Sequence, residues 1–128
     1  MTMLRSRSKP DTNDKWEAQL RKGCLELAVL ASLWNARFYG LEILRALEQN
    51  SNLIVAEGTV YPILGRLKED GLLDSEWVES EAGHPRKYYW LTPAGKQKAI
   101  SMAEFWSSFA VNLNVLLKPV LSEKGKRQ

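Results

Sequence analysis

The chain has 128 residues, 45% of them apolar, which is one domain's worth of globular composition. Its single cysteine, Cys24, excludes an intramolecular disulfide. Its single histidine and lack of a phosphate-binding glycine loop or a Cys/His metal cluster argue against an enzyme. The net charge of +3 sits at the ends. Residues 1–9 and 118–128 together hold +6, which leaves −3 for residues 10–117, so any anion-binding surface must come from local placement of charge.

Met1 to Pro10 has basic residues but no apolar core, so it does not read as a signal peptide. No uninterrupted apolar run approaches the roughly 20 residues that span a bilayer. Cys24 lies in an apolar run (Leu25, Leu27, Ala28, Val29, Leu30), which suggests a buried, inert thiol in a reducing cytoplasm.

Thr12 or Asn13 can cap a first helix running to about Leu33. Its apolar positions Trp16, Leu20, Cys24, Leu27 and Leu30/Ala31 recur at spacings of three and four. A second helix is expected from about Tyr39 to Gln49, with Leu41, Leu44 and Leu47 on one line, ended by Asn50, Ser51 and Asn52. A third covers roughly Gly58 to Asp70. Pro62 is placed in its first turn, where a missing N–H has no helical partner, and Gly71 is expected as a left-handed cap.

The period then changes from helical to alternating. Leu73–Val78 and Lys87–Leu91, flanking Ser80–Pro85, read as an antiparallel hairpin. Thr92-Pro93 is a cap followed by a first-turn proline. A long helix starts there, continues to about Leu117 and is expected to stop at Pro119. Three helices, a hairpin and a long helix make an α+β, mainly α chain in the winged helix-turn-helix arrangement. The expected division is a DNA-binding domain at 12–92, a dimerisation helix at 93–118, and flexible basic tails at 1–11 and 119–128.

On the third helix, Val60, Ile63, Leu64 and Leu67 share an inward arc. The opposite arc holds Gly58, Tyr61, Pro62, Gly65, Arg66 and Glu69, with Thr59 at its edge. Two glycines and a proline stand where charged side chains are usual, so the backbone can approach another surface closely. The helix N-terminus suits a phosphate, Tyr61 and Thr59 can donate to phosphate oxygens, and Arg66 can reach phosphate or the guanine edge. Arg86 and Lys87, just past the Gly83–Pro85 bend, would lay cations on the DNA backbone. Tyr89 and Leu91 would root the wing. His84 reads as a turn residue rather than a metal ligand.

The stretches "EGTVYPILGRLKEDGLL" and "GHPRKYYWLTPAGK" resemble the PadR family of transcriptional regulators over about residues 20–100. The resemblance implies a winged-helix repressor that dimerises through C-terminal helices and binds a palindromic operator. It places DNA contacts at Thr59, Tyr61, Pro62, Gly65, Arg66, Arg86 and Lys87. With one C-terminal helix, the chain is similar to the family's short class. Some members of that class bind flat aromatic compounds between tryptophans of the two subunits, and the matching residue is Trp106.

The long helix also argues for a homodimer on its own pattern. Ala99, Met102/Ala103, Trp106, Phe109/Ala110, Leu113 and Leu116/Leu117 form a stripe, widened by Ile100, Phe105 and Val111, that one small domain cannot cover. Trp16 and Leu20 of the first helix could clasp the partner's last helix. Trp16, Trp34 and Trp77 read as core. Ser107, Ser108, Asn112 and Asn114 give Trp106 polar neighbours of the kind found around a ligand. No cofactor, metal or membrane partner is expected. Two other readings stay open: a winged-helix protein-interaction module, and a small-molecule-binding dimer without DNA binding.

Overall fold

The computed structural model describes residues 12–51, 53–81 and 83–126. Its elements are α1 (Thr12–Ser32), β1 (Phe38–Tyr39), α2 (Gly40–Ser51), α3 (Glu57–Glu69), β2 (Leu73–Val78), β3 (Arg86–Leu91) and α4 (Pro93–Lys126). Mainly helical, with a small three-stranded antiparallel sheet, this is a winged helix carrying a long C-terminal helix. The expected tail at 1–11 and residues 127–128 lie outside the described residues.

The core is one cluster: Leu25, Val29 and Leu30 from α1, Leu33 from the turn after it, Ile43 and Leu47 from α2, Val60, Leu64 and Leu67 from α3, Leu73, Tyr89 and Leu91 from the sheet, and Ala99 from α4. The expected arc of α3 is therefore the buried one, with Ile63 packed at its edge. On α1 the expected stripe meets the core only at Leu30. Leu25, Val29, Leu30 and Leu33 turn inward, while Trp16, Leu20, Cys24 and Leu27 face α4 or solvent. This helix has two apolar faces, and periodicity alone does not rank them. On α2, likewise, Ile43 and Leu47 are buried and Leu41 is exposed.

Local chemistry sets the boundaries. Asn35, at φ 58, closes the turn after α1 in the left-handed region that asparagine tolerates. The Tyr39 N–H donates to Glu42 Oε1 at 3.1 Å, half of a capping box at the start of α2. Helix α3 starts at Glu57, but Pro62 lies in its second turn rather than its first. Pro62 thus leaves the Gly58 carbonyl without its helical donor. At the other end the Leu72 N–H donates to the Leu67 carbonyl (2.9 Å) and the Gly71 N–H to the Lys68 carbonyl (3.0 Å), with Gly71 at φ 79. That is a Schellman cap.

Strand order is β1-β3-β2, and the two-residue β1 was not anticipated from the sequence. Leu73 pairs with Leu91, Ser75 with Tyr89, Trp77 with Lys87 and Val78 with Arg86. Side chains alternate across a sheet, so Leu73, Lys87, Tyr89 and Leu91 share the core side and Arg86, Tyr88 and Trp90 the outer side.

Thr92 joins the sheet to α4. Its hydroxyl donates to the Gly71 carbonyl (2.7 Å) and accepts from the Gly95 N–H (3.0 Å), while its own N–H donates to the Leu72 carbonyl (3.1 Å). Gly95 packs directly on that carbonyl, leaving no room for a Cβ.

Helix α4 does not stop at Pro119. It passes through it to Lys126, so residues 119–126 are helix rather than tail. The proline removes one hydrogen bond, and the absence of any packed neighbour around it leaves the backbone free to accommodate its ring. With its polar residues interspersed, α4 is also long and apolar enough, by length and composition only, to cross a membrane, at a mean hydropathy of 1.2 over 18 residues.

Gly95→Ala should cost about 1–3 kcal/mol of stability, because the new methyl must displace a backbone carbonyl. Gly65, in the same kind of helical setting, faces open space. There Gly65→Ala should stabilise by roughly 0.5–1 kcal/mol. Urea midpoints of the two variants check both signs.

Candidate nucleic-acid interface

Thr59, Tyr61, Pro62, Gly65 and Arg66 are all exposed on α3. The fold divides them into two groups. Near the helix start, Tyr61 faces the wing across a cleft of about 420 Å³, lined by Tyr39, Gly40, Leu41, Glu57, Tyr61, Trp77, Pro85, Arg86, Lys87 and Tyr89. The Tyr61 ring lies against Gly40, filling the space a side chain there would need. Two turns on, Arg66 is not free. Its Nη2 donates to Glu26 Oε1 on α1 at 3.0 Å.

The helix start is less welcoming to a phosphate than its sequence suggested. Ala56 offers no side-chain cap, and the first turn carries Glu57, whose carboxylate already occupies the positive end of the helix. Burial pushes the Tyr61 hydroxyl above the usual phenol pKa, and Glu57 adds to the shift. Tyr89 is raised too, by burial first and by Tyr61 second. Both phenols stay protonated donors at neutral pH.

The wing cations point to opposite sides of the hairpin. Lys87 shares the core side with Trp77, its ammonium 5.6 Å from the Trp77 ring centre. Arg86 lies on the outer side, its guanidinium 4.5 Å from the Tyr39 ring centre. Tyr39 in turn meets Tyr88 edge to face at 5.4 Å. Farther from the tip, Arg37 stacks 3.9 Å from Trp90 and pairs with Glu76 at 2.8 Å. The wing is braced on its outer face by cations over aromatic rings, which limits its sway. The bend is held by Ser80, whose hydroxyl donates to the His84 carbonyl (2.6 Å), and by Gly83 at φ 90.

Trp77 is 64% exposed, Trp16 59% and Trp34 42%, so none is the core residue its pattern suggested. The cause at Trp77 is geometric. The hairpin's core side runs past the helical layer, and only its root, at Leu73, Tyr89 and Leu91, is covered.

A second feature lies between α1 and α4, a groove of about 540 Å³ lined by Gln19, Leu20, Gly23, Cys24, Leu27, Ser101, Met102, Phe105, Trp106 and Phe109. Cys24 is only half-buried there, not enclosed. Trp106 lines the groove with its ring centre 6.4 Å from Phe109, which stacks on Phe105 at 5.8 Å. The expected polar neighbours Ser107, Ser108, Asn112 and Asn114 do not line it. Gln19 and Ser101 do. Of the residues assigned to dimerisation, Met102 packs on the core, while Trp16, Leu20, Trp106, Phe109, Leu113 and Leu116 are exposed.

A family model described as the transcriptional regulator PadR-like family matches residues 29–100, from the last turn of α1 through the wing into α4. The chain belongs to this family. It is similar to a PadR-like transcription factor from Bacteroides fragilis, at 40% identity and a TM-score of 0.67, covering 80% of this chain and 98% of that one. A PadR-like regulator from Bacillus cereus is 30% identical with a TM-score of 0.70, covering 78% and 97%. A PadR family regulator from Eggerthella lenta is 30% identical with a TM-score of 0.74, covering 82% and 91%. This PadR protein is accordingly a DNA-binding transcriptional regulator.

Glu26, Gly40, Tyr39 and Trp77 were missed from sequence. Trp77 could have been found by pairing the hairpin, which sets it opposite Lys87. Glu26 carried no signal, because its partner lies 40 residues away.

The raised phenols give a pH dependence with a definite sign. An unfolded tyrosine ionises near pH ~10, whereas the folded Tyr61 and Tyr89 resist. Their contribution is fully present below about pH 10 and is lost as pH rises through the folded pKa values. Urea denaturation between about pH 9 and about pH 11 should show this fall, and Tyr89→Phe should lessen it.

Proposed function

We propose that this PadR protein is a repressor that binds a palindromic operator as a homodimer. On this reading α3 enters the major groove, with Thr59, Tyr61, Pro62, Gly65 and Arg66 towards the DNA. Arg86 and Lys87 of the wing meet the phosphate backbone. The supporting observation is the cleft that Tyr61 and Glu57 of α3 line together with Arg86 and Lys87 of the wing. The protein acts in the cytoplasm, without catalysis, cofactor, metal or membrane.

The dimer rests on α4. Past Met102 every described residue to Lys124 except Ala110 is exposed, including Phe105 at 71% and Leu116 at 72%. So large an apolar face on a soluble regulator calls for a cover. A second copy, with Trp16 and Leu20 clasping its last helix, buries it symmetrically. Trp106 lines the groove beside this face, and a planar aromatic effector fits there. That groove is also what favours the alternative, a small-molecule-binding dimer that has lost DNA.

Fluorescence anisotropy on the protein's own upstream DNA, across salt concentrations, tests the DNA reading. A dimer meeting about 6–10 phosphates loses affinity steeply with salt. Arg86→Ala removes one contact per wing, so the slope of log affinity against log salt should shrink by roughly 2, with sequence preference kept. An unchanged slope would remove Arg86 from the interface.

Leu113→Lys places an unpaired charge in the expected seam and should give monomers or aggregates by light scattering. A variant that stays dimeric would move the seam elsewhere. In the wild-type dimer a planar aromatic dye should quench tryptophan fluorescence with micromolar affinity, and a dimeric Trp106→Ala should lose that site.

A further inference from the structure

Of the three cations assigned to DNA, Arg66 alone has a carboxylate partner among the described residues. Arg86 and Lys87 lie over aromatic rings, which leave their charge intact. Arg66 is bound to Glu26, which projects from α1 onto the exposed side of α3. A carboxylate at a DNA-binding face is repelled by phosphate, so its presence weakens binding to DNA of any sequence.

Resting on the DNA reading above, we propose that Glu26 is a specificity-determining residue that acts through Arg66. Its carboxylate cancels the guanidinium charge towards the phosphate backbone and fixes the direction of the remaining N–H groups, so that Arg66 serves a base edge rather than any nearby phosphate.

The chemistry follows from the guanidinium. It carries five N–H donors in a rigid fork, and Glu26 takes one nitrogen. A free arginine swings on a long stem and meets whichever phosphate is nearest. Such a contact releases a counterion and carries no sequence information. An arginine held by a carboxylate is nearly neutral as a pair and gains little from phosphate. What it keeps is directed donors, the requirement for pairing with guanine O6 and N7. Glu26 is a positioning residue, since it touches Arg66 and not the DNA. The adjacent Leu27 and nearby Cys24 and Gly23 line the α1–α4 groove, so the tether runs from the groove's own helix to α3.

The test compares full-length wild type, Glu26→Gln, Glu26→Asp, Arg66→Ala and the Glu26→Gln/Arg66→Ala double variant. Each is titrated by anisotropy against the protein's upstream duplex and a scrambled duplex of equal length, from about 50 to about 300 mM salt. Glu26→Gln should bind scrambled DNA about tenfold or more tightly than wild type. Its salt slope there should steepen by about 2, one freed cation for each subunit of a dimer. Affinity for the upstream duplex should rise less, so the ratio between the two falls. Arg66→Ala in the Glu26→Gln background should cancel the gain, and Glu26→Asp should keep the wild-type slope.

Three results overturn the inference while leaving the DNA reading intact. The scrambled-DNA slope of Glu26→Gln could match wild type. Both duplexes could gain equally, making Glu26 a plain repulsive charge. Or the gain could survive Arg66→Ala, meaning that Glu26 does not act through Arg66. A wild-type protein that binds neither duplex at low salt fails the DNA reading itself, and the inference with it. An exposed pair of this kind contributes little to stability, so all variants should share the wild-type urea midpoint.

Discussion

One threonine hydroxyl holds the molecule's working geometry. Thr92 receives the Gly95 N–H at the start of α4 and gives its proton to the carbonyl of Gly71, the glycine that ends α3. The end of α3, the return strand of the wing and the start of α4 therefore meet at a single point. The contact between Gly95 and the Leu72 carbonyl closes the junction without side chain. At this point α3, β3 and α4 are tied by direct hydrogen bonds and a backbone contact, with no linker residue between β3 and α4 other than Thr92.

From that junction the chain separates two tasks. The inner part, from Leu25 to Ala99, is a packed core whose one polar side-chain group among the described buried residues is the Tyr89 phenol. It fixes the direction of α3 and the wing. The outer part, α4 beyond Met102 with the first turns of α1, contributes almost nothing to that core and exposes most of the large apolar side chains. The residues that pack the core and those of the exposed apolar face are thus largely different sets, and a change in one need not disturb the other.

Much of this was readable beforehand, for local reasons. Gly71 announces a left-handed cap, Thr92-Pro93 a helix start, and the alternation from Leu73 to Val78 a strand. Each depends on residues within a few positions of one another. What escaped depends on distance. The choice between the two apolar faces of α1 is made by elements far along the chain. The exposure of Trp77 follows from how far the hairpin reaches past the helices, and the tie between Glu26 and Arg66 crosses 40 residues. Pro119 misled for a different reason. Proline disfavours a helix interior but does not forbid it, and α4 passes through with only one bond lost. Both wing cations were legible as residues, yet their opposite directions required the strand register.

The exposed length of α4 also makes protein concentration a structural variable. Past Met102 the helix has almost no packed neighbour among the described residues, and in proteins most helical stability comes from a packed apolar face rather than from propensity. If a second copy covers its outer turns, as proposed above, order in that segment and association become one equilibrium. Dilution then acts as a mild denaturant of that segment only. The winged core, whose contacts are internal, keeps its shape at any concentration, while in the proposed dimer the distance between two copies of α3 would be defined only once enough protein is present to hold the last helix straight.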